Sequence, residues 1–69
     1  MDEGKWEPRM VCSNPDLFVM EWVPNEGPRI RDGVEMTEQE LRAALGTKWS
    51  RSGGEIEYLI EKSRSDFAA

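Results

Sequence analysis

Histidine is absent from this chain of 69 residues, and cysteine occurs only once, at Cys12. A structural zinc site needs about four thiolate or imidazole ligands, so the chain cannot build one from its own residues. The single thiol also excludes a disulfide within the chain, and no imidazole is present to activate it. We therefore expect no metal, no cofactor and no catalytic residue, with Cys12 packing as a small apolar side chain.

Long apolar runs are lacking as well. The longest is Leu17–Met20, whereas a membrane-spanning helix needs about 20 such residues. The charged first residues, 1–5, have no apolar stretch typical of a secretory signal, and one unpaired cysteine suits a reducing compartment. We expect a soluble, cytoplasmic protein. The final Ala68-Ala69 resembles the tails that bacterial proteases recognise, but two residues are a weak signature and a frayed terminus is the favoured interpretation. A recognised tail would imply a bacterial or phage-infected host cytosol.

Positive charge is in short supply, since nine Lys and Arg residues against 14 Asp and Glu residues give a net charge of −5. Phosphate contacts need clustered cations, so a uniformly basic nucleic-acid binder is disfavoured. We expect one domain, 1–69, and a chain of this size buries only about 60% of its unfolded surface. Association with another protein, or with a second copy in a homodimer, is the remaining route to further stability.

The first half of the chain has the pattern of β-strands within residues 5–31. Pro8 weakens the first strand segment, because proline belongs at the edge or the start of a strand. The second segment, 17–23, is rich in β-branched and aromatic residues and follows a dense turn signal at 13–16. The sequence leaves open whether residues 29–31 form a short third strand.

The second half is predicted to form two helices, at about 38–45 and 53–64. Thr37 and Glu40 give the first helix a capping-box start, and Ser52 precedes the second helix. The expected fold is α+β, with a small antiparallel β-hairpin or three-stranded sheet followed by two short α-helices.

The 17–23 segment carries apolar residues on both faces. Alternation places Phe18, Met20 and Trp22 on one face and residues 17, 19, 21 and 23 on the other. Two short helices can cover one face of a small sheet but hardly both. The other face is therefore either closed by the chain ends or meets a partner. In the second case Phe18, Met20 and Trp22 are the predicted anchors of the interface.

Three further residues complete this predicted partner site. Trp49 lies in a less regular segment, where full burial of an aromatic ring is difficult. Glu57 and Glu61 are four residues apart on the second helix and share one face. Such an acidic stripe is typical of a solvated helix face, and it also suits the rim of a contact with a basic surface.

A nucleic-acid site is the alternative. The segment 41–54 contains Arg42, Lys48 and Arg51 and no acidic residue, and Ser52 begins a helix whose free amides suit a phosphate. The resemblance to a helix-turn-helix is partial, because the apolar residues usual six and nine positions after the turn glycine are missing.

Two functions remain open from the sequence. The preferred one is a non-enzymatic regulatory or inhibitory protein that binds a host or cellular protein, as many small phage or mobile-element proteins do. The alternative is a small DNA-binding transcriptional regulator with a helix-turn-helix-like C-terminal half. An enzyme is not expected, because so small a chain offers little room for a cleft that shifts a carboxyl pKa.

Overall fold

The computed structural model describes residues 3–69, with four strands followed by two helices. The strands are β1 (Gly4–Cys12), β2 (Leu17–Pro24), β3 (Ile30–Arg31) and β4 (Met36–Thr37), and the helices are α1 (Glu38–Thr47) and α2 (Gly53–Ala68). The predicted α+β arrangement of a small antiparallel sheet followed by two helices is confirmed. The two-residue β4 was not predicted, because Met36 and Thr37 carry no strand pattern of their own.

A long hairpin forms the centre of the sheet. β1 and β2 pair antiparallel from Gly4 opposite Pro24 to Cys12 opposite Leu17, with a register shift after Met10. The connection is the predicted turn at 13–16. Its sharp reversal uses a positive φ of 58° at Asn14, which asparagine tolerates better than most residues, and the following peptide bond is cis.

β3 and β4 follow one another along the other edge of β2 as one interrupted strand. Trp22 lies opposite Ile30 in the first part, and Phe18 lies opposite Met36 in the second. If the first register continued, residue 34 would lie opposite Phe18. Two extra residues therefore bulge out between β3 and β4.

A turn at Gly33 shapes this bulge. Gly33 has a φ of 81°, which side-chain-bearing residues rarely adopt. The Val34 amide donates to the Asp32 carboxylate at 3.0 Å, so a side chain replaces the ladder partner that the bulge removes. As a result Val34 is directed into solvent, with 59% exposure.

The outer edge of β1 is occupied by the helical half of the chain. The Ser63 hydroxyl donates to the Pro8 carbonyl at 3.0 Å, and the Arg51 guanidinium donates to the Trp6 carbonyl at 3.2 Å. Pro8 has no amide hydrogen, and its backbone is directed to this outer edge, so the β1–β2 ladder loses no hydrogen bond. β1 is therefore not open to a further strand along Trp6–Pro8.

The core lies between one face of the sheet and the two helices. Its buried members come from both strands of the hairpin and from both helices: Met10, Phe18, Met20, Leu41, Leu45 and Ile60. Full burial of such a side chain stabilises the fold by about 1.5–3 kcal/mol. Trp6, Met36, Trp49 and Ile56 pack around this cluster and close its margin.

Both helices begin where the sequence predicts. The Glu40 amide donates to the Thr37 hydroxyl at 3.2 Å, and the Thr37 amide donates to the Glu40 carboxylate at 2.9 Å, which completes the capping box. The Ser52 hydroxyl accepts from the Glu55 amide at 3.3 Å. α2 continues to Ala68, beyond the predicted end at about 64.

The first helix also ends later than predicted. The Lys48 amide still bonds to the Ala44 carbonyl at 2.8 Å, so the helical ladder passes through Gly46 and the helix ends at Thr47. A glycine within a last turn costs only about 1 kcal/mol relative to alanine. The left-handed residue that terminates the segment is Ser50, with a φ of 52°.

Candidate functional site

A row of large apolar side chains crosses the sheet at the end of the hairpin away from its turn. Trp6 lies opposite Trp22 on the neighbouring strand, and Trp22 lies opposite Ile30 on the next. Residues directly opposite in antiparallel strands share a face, so the three side chains form one line. We call this line the aromatic row. The two tryptophans are half-buried, whereas Ile30 is 60% exposed.

The two tryptophans of the aromatic row pack edge to face. Their ring centroids are 5.6 Å apart, with an angle of 60° between the ring planes. Gly4 allows this arrangement, because a Cβ atom there would lie 2.6 Å from the Val23 carbonyl oxygen and 2.9 Å from the Trp22 ring. Close approach of backbone to backbone thus places the rings beside one another.

The chain that borders the aromatic row is fully exposed. Every residue from 25 to 35 is exposed, and this segment contains both Ile30 and Val34. These are two of the four exposed large apolar side chains among residues 3–69; the others are Tyr58 and Phe67 on α2. An exposed segment that presents aliphatic side chains beside an aromatic pair is typical of a binding surface.

The opposite face of the sheet carries three arginines around one carboxylate. Glu21 has a side-chain exposure of only 7%. Its carboxylate oxygens lie 3.3 Å from Arg31 Nε, 3.4 Å from Arg29 Nη1 and 4.0 Å from Arg9 Nε. We call these residues the arginine cluster. The three arginine side chains are 40% to 54% exposed, so each keeps part of its surface in contact with solvent.

The arginine cluster explains why the second face of β2 is not an open apolar surface. Val19 lies opposite Arg9 in the ladder and is buried, as is Glu21. Long arginine side chains can cover apolar surface with their methylene stems while their charged ends stay in water. The C-terminal helix also reaches this face, because Lys62 lies 3.7 Å from the Glu7 carboxylate and Leu59 borders the same cavity as Arg9 and Glu21. Strand side chains and α2 therefore both cover part of it.

Two of the predicted partner-binding residues lie in the core. Phe18 and Met20 are both 0% exposed, so they cannot act as contact residues on the surface of this monomer. The prediction that Phe18 and Met20 are anchors of an interface is therefore corrected, since both belong to the core. The two helices cover the face that Phe18 and Met20 share, and long-range packing of this kind cannot be deduced from the apolar pattern of one strand. Trp22 shares their face but lies at the margin, half-buried.

The other predicted partner residues are dispersed over the molecule. Trp49 is half-buried against the core, with the Lys48 ammonium 4.9 Å from its ring centroid. Glu57 and Glu61 are exposed on α2. Trp22, by contrast, lies on β2, at the margin of the core. The structure thus does not unite the six predicted residues into one site.

The residues of the predicted nucleic-acid site are engaged within the chain. Arg42 pairs with Glu38 at 2.9 Å and also with Glu57, and Arg51 pairs with Glu55 at 2.5 Å. Ser52 caps the N-terminus of α2, and Lys48, the remaining residue of that prediction, lies over the Trp49 ring. Pairing with carboxylates lowers the positive potential that a phosphate backbone would meet. This geometry therefore does not favour the alternative, which stays a prediction.

The pair of Arg42 and Glu57 shifts the protonation of both groups. The hydrogen bond from the Arg42 guanidinium, reinforced by charge attraction and opposed by desolvation, holds the pKa of Glu57 below the usual glutamate value of 4.5. The same hydrogen bond raises the pKa of Arg42. Since this pair connects α1 with α2, its chemistry is that of a structural link between the helices.

Two properties of the described chain bear on chemistry and location. Within residues 3–69, no three carboxylate or thiol side chains come together as a group that could hold a metal ion. Neither helix in that range combines the length and the apolar composition needed to cross a bilayer.

Comparison with protein-family models, with curated proteins and with solved structures finds no match for this chain. The function has to be argued from the residues of the molecule itself.

Neither the arginine cluster nor the aromatic row was predicted from the sequence, and neither was their meeting at β3, which carries both Ile30 and Arg31. Arg29 and Arg31 are two positions apart in an extended segment, so the period of two places them on one face and Ile30 on the other. That signal was present in the sequence. The pairing of Ile30 with Trp22 depends on the register of β3, which the loop of residues 25–29 sets and which no local pattern specifies.

Proposed function

We propose that this chain is a non-enzymatic regulatory or inhibitory protein that acts by occupying a surface of another protein. The observation that carries the proposal is the aromatic row, in which the pair of Trp6 and Trp22 continues into the exposed Ile30. Tryptophan and neighbouring aliphatic groups supply large contact area at little cost in conformational entropy, and they dominate the energetics of many protein interfaces.

The surroundings of the aromatic row also suit a protein partner. Arg29 and Arg31 flank Ile30 in sequence but lie on the opposite face, so a partner that approaches the edge of β3 meets an apolar face and a charged face. Interfaces commonly consist of an apolar centre and a polar rim, and arginine is enriched at interfaces and among their hot-spot residues. The exposed segment 25–35 would bring both kinds of group to the partner at once.

Burial within one chain favours a different protein over a second copy as the target. Phe18 and Met20 are completely covered by the chain's own helices, so no dimer is needed to remove them from water. Two copies that met on the face of the arginine cluster would also bring two sets of half-exposed guanidinium groups together, which opposes such a contact. A different protein with a complementary surface brings no second set of arginines into the contact.

The test is capture of the partner from cells that carry the gene, with tagged wild-type chain and matched variants. Trp22→Ala and Ile30→Ala each truncate the aromatic row, and hot-spot truncations typically cost about 2 kcal/mol or more of binding. We expect wild type to retain a defined protein and both variants to lose it by roughly thirtyfold or more, since about 1.4 kcal/mol equals a factor of ten.

Phe67→Ala is the matched control, because Phe67 is an exposed apolar side chain on α2, outside the aromatic row. It should retain the partner at the wild-type level. Equal retention by wild type and Trp22→Ala would contradict the proposal. Retention of genomic DNA at low salt, lost on Lys48→Glu and Arg51→Glu, would instead support the DNA-binding alternative.

A further inference from the structure

The backbone of β3 has one side directed at the sheet and one side directed at solvent. The Asp32 amide donates to the Met20 carbonyl at 3.1 Å, and Ile30 lies opposite Trp22. Backbone groups alternate in direction along an extended strand, so those of residues 30 and 32 turn towards β2. The amide and carbonyl groups of Arg29 and Arg31 consequently turn away from it, in a segment whose residues are all exposed.

This free edge differs from the opposite edge of the sheet. On β1 the outward carbonyls of Trp6 and Pro8 accept hydrogen bonds from Arg51 and Ser63. On β3 no element among residues 3–69 pairs with the outward side. The free edge of β3 can therefore accept the backbone of an additional extended chain.

The two faces beside this edge have opposite chemical character. On one face Ile30 continues the aromatic row, and on the other Arg29 and Arg31 contribute to the arginine cluster with Arg9. An added strand alternates its side chains between the same two faces. Its apolar residues would extend the aromatic row, while its acidic residues would lie beside the half-exposed guanidinium groups of Arg29 and Arg31.

From this geometry, and resting on the function proposed above, we propose that the partner supplies an extended segment of alternating acidic and apolar residues. This segment adds to the free edge of β3 as a further strand. Main-chain hydrogen bonds to residues 29 and 31 hold it, and contacts of its carboxylates with Arg29 and Arg31 select it.

Two other occupants of the edge, a nucleic acid and a second copy of the chain, fit it less well. A nucleic acid would gain from the same cations, but it has no peptide backbone whose alternating amide and carbonyl groups could pair along the strand. A second copy pairing edge to edge would bring Arg29 and Arg31 of both chains together, and charges on an edge strand oppose such pairing. An acidic peptide satisfies both the charges and the backbone.

The probe is an acetylated, amidated octapeptide of alternating glutamate and valine, titrated against the full-length chain with tryptophan fluorescence and amide NMR shifts as readouts. We expect saturable binding, with the largest shifts at the amides of Arg29 and Arg31. Binding should weaken when salt rises from about 50 to about 300 mM, because the carboxylate–guanidinium attraction is screened. The same octapeptide with lysine for glutamate should not bind.

Backbone pairing is tested on the peptide, so that the protein stays unchanged. N-methylation of alternate amides removes the donors that would face β3, and it should reduce affinity roughly tenfold or more if two hydrogen bonds are lost. Methylation of the other set of amides, which face away from β3, is the matched control and should preserve binding. Equal affinity of both methylated peptides would overturn strand addition.

Charge selection is tested on the protein. Arg31→Gln should weaken the octapeptide roughly tenfold, since a hydrogen bond to a charged group contributes about 1.5–3 kcal/mol. Arg31→Lys should retain more of the affinity, and Lys48→Gln, which removes the same charge from the α1–α2 connection, should leave it unchanged. An octathymidylate that binds as tightly as the peptide would overturn the proposal in favour of nucleic acid.

The outcome for this inference is separable from that for the proposed function. If the octapeptide does not bind while the cellular partner is still lost on Trp22→Ala, strand addition is overturned and the protein-binding function stands. If the octapeptide binds and its shifts fall on α2 rather than on residues 29–33, strand addition is likewise overturned.

Discussion

Trp6 and Trp22 meet edge to face across the first two strands, with ring centroids 5.6 Å apart and ring planes inclined at 60°. This pair links the core to the surface, because Trp6 packs against the buried cluster while Trp22 lies beside the exposed Ile30. Trp6 therefore contributes to the stability of the core, whereas the proposed binding surface consists mainly of Trp22 and Ile30. Substitution of Trp22 should therefore destabilise the fold less than substitution of Trp6.

The first prediction concerns the coupling of the two rings. Trp6→Ala should lower the free energy of unfolding more than Trp22→Ala, since only Trp6 also packs on the core cluster. The double variant should be less destabilised than the sum of the two single variants, by about 0.5–1.5 kcal/mol, which is the usual worth of an aromatic pair. Urea unfolding of the four proteins measures this coupling. Additivity to within about 0.3 kcal/mol would show that the rings do not interact.

The second prediction concerns the close approach at Gly4. A Cβ atom there would lie 2.6 Å from the Val23 carbonyl oxygen and 2.7 Å from the Pro24 Cα, and neither backbone atom can rotate aside. Gly4→Ala should therefore lower stability by about 1–3 kcal/mol and separate β1 from β2 at the tryptophan pair. Thermal unfolding and the change in tryptophan fluorescence measure both effects.

Gly54→Ala is the control for this substitution. Gly54 lies in the first turn of α2, and a Cβ atom there meets nothing within 4 Å. The variant should be as stable as wild type or slightly more stable, because alanine favours a helix more than glycine does. An equal loss of stability in both variants would refute the close approach as the cause.

The third prediction concerns the hydroxyl that covers the edge of β1. The buried Ser63 hydroxyl lies 3.0 Å from the Pro8 carbonyl and 2.8 Å from the Leu59 carbonyl. Ser63→Ala leaves the Pro8 carbonyl without this partner, which should cost about 1–3 kcal/mol. The exposed Ser65→Ala should change the free energy of unfolding by less than about 0.5 kcal/mol. Urea unfolding of both variants measures the difference, and similar values for the two would contradict a stabilising role of the hydroxyl.

The fourth prediction concerns the pH dependence of stability. Arg42 lowers the pKa of Glu57 in the folded state below the value of 4.5 in the unfolded state. The pair therefore stabilises the fold above about pH 4.5, and this stabilisation is lost as the pH falls through the lower pKa of the folded state. Glu57→Gln should therefore flatten the decline of the melting temperature below about pH 4.5. The difference should shrink in high salt, since the pair is exposed.

Two measurements check this fourth prediction. Carbon NMR titration of the Glu57 carboxyl should give a pKa below that of the same group in Arg42→Gln. Glu61→Gln removes another exposed charge from the same helix and controls for the change in net charge. A Glu57 carboxyl whose titration does not respond to Arg42→Gln would contradict the pairing.

The parts of this fold that local chemistry specifies were predictable from the sequence. Thr37 with Glu40 and Ser52 with Glu55 marked both helix starts, since a capping side chain and the amide it satisfies are three residues apart. The two-residue period also placed Phe18, Met20 and Trp22 on one face of β2. Helix ends were less predictable, because tertiary packing kept Gly46 within the helix.

The candidate site was predictable only in part. Trp22 was named as an anchor, but Phe18 was named with it, since one strand's pattern cannot show where the helices stop covering its face. Ile30 joined Trp22 through the register of β3, and Glu21 met Arg29 and Arg31 through the same register. Contacts between segments that are distant along the chain decide which side chains a surface combines.

The most direct test of the protein-binding surface is site-specific photo-crosslinking inside the cell. A benzophenone amino acid replaces Ile30 in one variant of the full chain and the exposed Gln39 on α1 in another. If the aromatic row binds a protein, the variant with the crosslinker at position 30 should form an adduct with a different protein. Excess wild-type chain should suppress this adduct, and excess Trp22→Ala chain should not. The variant with the crosslinker at position 39 should form no such adduct. An adduct of equal yield from both positions, or none from position 30, would contradict binding through the aromatic row.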